Sequence, residues 1–113
     1  MLLGAAYVMF ILSGAWIVTV TNIGSRPIQV RVAAWDSPSL QQFVGKADLA
    51  GGETMYRIFI PRMDADMAFW CRDTLQNRET FWRLDYVTGG PATFYTASLN
   101  ACESIRTNLR ESF

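Results

Sequence analysis

Cys71 and Cys102, 31 positions apart, are the residues with the most chemistry to offer. Their spacing is not that of a CxxC redox or zinc pair. Joined, they would close a loop worth roughly 3.5–4 kcal/mol in lost unfolded-chain entropy. Reduced, they would be two small buried hydrophobes beside apolar neighbours such as Phe69 and Trp70. Pairing needs an oxidising compartment, and Cys71–Cys102 is the disulfide candidate. Asp64 and Asp66 in Met63-Asp64-Ala65-Asp66-Met67 could present carboxylates to calcium. Calcium takes about six to eight oxygens, and neither further spaced acids nor a loop glycine follow, so the pair reads as a solvated loop and no metal site is expected. Arg83 and Asp85, on one face of an alternating segment, read as a solvated pair.

The chain has no histidine. That removes Ser-His-Asp and Cys-His arrangements, His-ligated metals and the usual near-neutral base. The sole lysine, Lys46, follows Gly45, and Gly51-Gly52 and Gly89-Gly90 have the look of hairpin turns rather than phosphate loops. No catalytic residue, no cofactor and no enzymatic activity are expected. Ten positive charges balance ten negative ones and the arginines are dispersed, which argues against a nucleic-acid partner.

Aromatic residues are plentiful, among them Trp16, Trp35, Trp70 and Trp82, and most must fill the core of so small a domain. Met55, Phe59, Phe81 and Phe94 differ, because each falls opposite the main apolar set of its strand. A strand apolar on both faces is either central or covered, so these four are the candidates for a partner surface.

The elements that would carry these residues are mainly strands. At 113 residues and 50% hydrophobic content, the chain is one small ordered domain. Trp16–Thr21 is β-branched and alternating, Asn22–Pro27 is turn chemistry, and Ile28, Val30 and Val32 alternate with Gln29 and Arg31, which predicts a hairpin. Further strands are expected at Met55–Pro61, Met67–Arg72, Thr80–Val87 and Thr93–Ala97. In Thr80–Val87 the pattern puts Trp82, Leu84 and Tyr86 on one face and Arg83 and Asp85 on the other. Short strands at this spacing predict a small antiparallel β-sandwich or barrel. Asn100–Glu103 has the shape of a capping box, and Ala101, Ile105 and Leu109 recur every four positions, which predicts a short C-terminal helix over 101–110.

No charged side chain precedes Arg26. An apolar helix is expected over residues 2–15, ahead of a β domain at 16–113. Leu2, Leu3, Tyr7, Phe10, Ile11 and Leu12, with Trp16 near an interface, would form its membrane or assembly segment. The competing reading is a signal peptide cut after Ser13-Gly14-Ala15. The cysteine pair favours a membrane-anchored domain on the exoplasmic side, periplasmic or extracellular; secretion is the alternative.

WIVTVTNIGS (Trp16–Ser25) followed by Pro27-Ile28-Gln29-Val30 resembles the opening hairpin of small membrane-binding β-sandwiches such as aegerolysins. The resemblance covers residues 16–30 and implies a hairpin there. The functional expectation is a non-catalytic accessory or structural subunit, anchored by its N-terminal segment and docking its β-sandwich on other protein subunits of a membrane-bound assembly. A secreted, membrane-active lipid- or glycan-binding sandwich is the alternative, and a virion coat or decoration subunit the third.

Overall fold

The computed structural model describes residues 14–37, 39–62, 64–87 and 92–111. Its eight strands are β1 (Trp16–Asn22), β2 (Ile28–Ser37), β3 (Leu40–Leu49), β4 (Thr54–Phe59), β5 (Ala65–Asp73), β6 (Arg78–Val87), β7 (Thr93–Asn100) and β8 (Ser104–Glu111). They form two four-stranded sheets, ordered β4-β1-β7-β8 and β3-β2-β5-β6, that enclose one core. Neighbours are antiparallel except β1 and β7, which run parallel. The expected β1–β2 hairpin is therefore wrong. Both strands bury one apolar face, Trp16, Val18 and Val20 on β1 and Ile28, Val30 and Val32 on β2, so they lie in opposite sheets across the core instead of edge to edge. The connections alternate between two ends. The chain enters at Ala15 beside the β2–β3, β4–β5 and β6–β7 connections; the other four connections share the far end.

Trp16, expected near a membrane interface, is 3% exposed. Its indole lies 6.1 Å from the Phe59 ring and 5.9 Å from Tyr95. The rest of the apolar segment, Leu2, Leu3, Tyr7, Phe10, Ile11 and Leu12, falls outside the described residues, as does nearly all of the range expected to form an N-terminal helix. No helix among the described residues is long and apolar enough to cross a membrane.

Two partner-surface candidates are also corrected. Met55 and Phe59 are core residues, and Tyr56, Ile58 and Ile60 face outward in their place. The charged Arg57 misleads the pattern, because it shares the inward face of β4 with Met55 and Phe59. As an edge residue it escapes the core: its stem crosses Gly45 of β3 and its guanidinium donates to the carbonyls of Tyr56 (2.7 Å) and Lys46 (3.3 Å). A side chain at position 45 would collide with it, a Cβ there lying 2.6 Å from Arg57 Cγ.

The far end is locked by polar groups. Cys71 of β5 is bonded to Cys102 in the β7–β8 turn, with Cα atoms 5.5 Å apart, so the disulfide joins the two sheets. The fully buried Asn22 donates its amide to the carbonyls of Arg26 (2.7 Å) and Leu49 (3.1 Å) and accepts from the Gly24 N–H. Gly24 leaves room for this turn to press on the next, since a Cβ there would lie 2.7 Å from the Ala101 nitrogen. Arg26 Nε donates to Asp73 at 2.6 Å and its Nη2 to Glu103 at 2.7 Å. Asp73, 1% exposed, also accepts from the Leu75 and Gln76 N–H groups.

The C-terminal helix is replaced by β8. A four-residue repeat is also a multiple of the strand period of two, so Ile105 and Leu109 fit a strand equally well. Asn100–Glu103 is a hairpin turn, with the Glu103 N–H bonded to the Asn100 carbonyl and Ala101 at φ 49°. The sheets also meet along the β6–β8 side. Asp85 is an extra residue in β6, at φ 54°, opposite the register shift between Asp66 and Met67. Its carboxylate accepts from the Tyr95 hydroxyl (2.5 Å) and the Thr107 hydroxyl (2.7 Å) of the other sheet. It is not the solvated partner of Arg83. The same bulge turns Tyr86 to the outer face, away from Trp82 and Leu84, where it is 59% exposed.

Hydrogen bonding to Arg26 holds the Asp73 carboxyl below the ordinary carboxylate range, against an opposing burial effect and helped by the Gln76 and Leu75 amides. A depressed acid stabilises the fold above its unfolded pKa of about 3.9 and loses that contribution as pH falls through the lower folded value. Asp73→Asn should therefore lower the thermal midpoint at neutral pH, and the gap from the native protein should close on acidification. A gap independent of pH would contradict the lock.

Candidate binding face

The outer face of the β3-β2-β5-β6 sheet is built by alternation on its two central strands, β2 and β5. With Val30 and Val32 pointing inward on β2, Arg31, Ala33 and Trp35 point out; with Met67, Phe69 and Cys71 inward on β5, Asp66, Ala68, Trp70 and Arg72 point out. Register aligns Lys46, Arg31, Trp70 and Phe81 in one row, and Phe43, Ala33, Ala68 and Arg83 in the next. Ala33 and Ala68 are small enough to be roofed over by their neighbours, and both are almost fully buried although they point outward.

The roof is aromatic. Trp35 meets Phe81 edge-on at 5.3 Å, Trp70 lies 5.0 Å from Phe81, and the two indoles are 6.5 Å apart. Two guanidiniums close over them, Arg31 at 4.0 Å from the Trp70 ring centre and Arg83 at 4.3 Å from that of Trp35. Arg83 is fixed further by Asp66 at 2.6 Å. Beside the cluster, Arg31, Lys46, Arg72, Asp48 and Glu79 rim a groove of about 630 Å³ with Trp70 and Phe81 in its wall.

Of the remaining partner-surface candidates, Phe81 lies in this cluster at 42% exposure, and Phe94, at 41%, is on the outer face of the other sheet. The structure does not bring those two together. It adds Trp35, Trp70, Arg31 and Arg83, whose signal was present in the sequence. The inward set Ile28, Val30, Val32, continued by two residues to Ala34, leaves Trp35 outside. The run Ala33-Ala34-Trp35, apolar on both faces, hides that continuation.

Chemically the face is suited to binding. The carboxylate of Asp66 is committed to Arg83 and that of Asp85 to two hydroxyls. The Tyr95 hydroxyl is pushed well above its usual range by burial and by its bond to Asp85, and the Tyr86 hydroxyl is also raised. Both stay neutral phenols at ordinary pH. No protein-family model and no curated protein sequence matches the chain.

A double-mutant cycle on Trp35→Ala and Arg83→Ala should return a coupling of about 0.5–1 kcal/mol by urea denaturation, the scale of an exposed cation–π contact. Strict additivity would mean that the guanidinium does not hold the indole.

Proposed function

We propose that this chain is a non-catalytic accessory subunit, tethered to a membrane by its apolar N-terminal segment, that docks the outer face of its β3-β2-β5-β6 sheet on a protein of a larger assembly. The observation that carries the reading is the Trp35–Trp70–Phe81 cluster with Arg31 and Arg83 lying on it. Interface hot spots are enriched in tryptophan, tyrosine and arginine, and side chains already held by their neighbours lose little freedom on binding. Glycan binding is less favoured by the same geometry. A sugar ring stacking on either indole would first have to displace a guanidinium. The disulfide supports a domain on the exoplasmic side, and the uncharged run before Arg26 supports the tether.

The test is native electrophoresis of detergent-solubilised membranes from cells of the source carrying the tagged full-length chain. The native chain should migrate in a species far larger than its own 12.7 kDa. Trp35→Ala combined with Trp70→Ala should release it as a free chain that still pellets with membranes. A native chain that is monodisperse and monomeric without detergent, or a doubly substituted chain that stays in the complex, would overturn the reading.

A further inference from the structure

Apolar side chains are distributed unevenly along the strands. Leu40, Phe43, Ile58, Ile60 and Tyr86 are each more than half exposed, and all belong to the half of the sandwich nearest Ala15, where the uncharged residues 1–13 join β1. Ile58 pairs directly with Ile17, the second residue of β1. Ile23 and Leu75 are the comparably exposed aliphatic residues of the far end. That end instead gathers Arg26, Asp73, Glu103 and the buried disulfide. The entry end also carries the charges of Asp36, Arg62, Asp64 and Arg110, together with the Asp66–Arg83 pair.

We infer that the entry end of the sandwich, with Leu40, Phe43, Ile58, Ile60 and Tyr86, rests on the lipid interface, so that the strands stand up from the membrane and the disulfide end points away. The inference rests on the tether proposed above and adds an orientation to it. An uncharged segment that enters the bilayer fixes the residues joined to it at the surface, because only Gly14 and Ala15 separate residue 13 from β1. Exposed aliphatic and aromatic side chains are favoured at that depth, with tyrosine at the head-group level and arginine beside the phosphates. Seven or eight strand residues at about 3.3 Å each put the far end roughly 25 Å above the interface. The aromatic face of the β3-β2-β5-β6 sheet then stands perpendicular to the membrane, open to a neighbour embedded in it.

The test places an environment-sensitive fluorophore on a single added cysteine in the full-length, disulfide-bonded chain: Ile60→Cys or Phe43→Cys at the entry end, Ile23→Cys or Leu75→Cys at the far end. Each protein is bound to vesicles of phosphatidylcholine and phosphatidylglycerol containing a lipid with a nitroxide near its head group. Quenching should be several-fold stronger at positions 43 and 60 than at 23 and 75. Chains that fail to float with vesicles would overturn the tether and the orientation with it. Chains that float but are quenched equally at both ends, or more strongly at the far end, would overturn the orientation alone. So would a label at position 60 that is already shielded without lipid and unchanged by it, because residues 1–13 would then cover the face themselves. Two sites at each end keep the comparison intact if one substitution disturbs folding.

Discussion

A carboxylate that is almost completely buried must meet a cation or strong donors, and Asp73 meets Arg26 and two backbone amides at the point where three turns converge. The far end depends on that contact. Arg26 lies in the β1–β2 connection, Asp73 ends β5, and Glu103 sits in the β7–β8 turn, so one guanidinium spans both sheets. Asn22 brings in the remaining connection through the Leu49 carbonyl, and the disulfide makes the junction covalent a few residues away. A sandwich with an otherwise apolar core has few directional contacts to fix how one sheet sits on the other. Here most of them lie at one end, with the Asp85 bulge adding two along the β6–β8 side and Arg57 and Gln42 adding others along the β3–β4 side.

The division of labour follows from chain direction. Connections alternate between the ends, so the four polar turns fall together at the far end while the entry end keeps most of the exposed aliphatic side chains. The outer sheet face holds Trp35 and Trp70 through each other, Phe81, Arg31 and Arg83, without a loop to carry them. Ala33 and Ala68 are what make that face possible: larger residues in the central row would prop the indoles away from the sheet and from each other.

Much of this was legible in the sequence, and the failures have particular causes. Trp16–Thr21 and Thr80–Val87, expected to be strands, are strands, and the cysteines that suited a disulfide form one. Pattern alone could not say that β1 and β2 belong to different sheets, since a turn that closes a hairpin and one that crosses the core use the same residues. Periodicity failed at β4 because Arg57 can leave the core at an edge over a glycine, a contact 12 positions away in sequence. It failed at Tyr86 because one extra residue, Asp85, shifts the alternation by one, so that Tyr86 and Val87 take the faces opposite to those the pattern predicts. At the C-terminus a spacing of four satisfied helix and strand alike, and packing beside β7 decided between them.

Native-state hydrogen exchange is the most direct measure of whether the sandwich is held at its far end. The Asn22 and Ile23 amides, bonded to the Glu53 and Leu99 carbonyls, should exchange only through global unfolding. The Thr93 and Arg62 amides, bonded at the entry end to the Ala15 carbonyl and the Gln42 side chain, should exchange through smaller local openings. Equal protection at the two ends, or faster exchange at Asn22 and Ile23, would contradict the account.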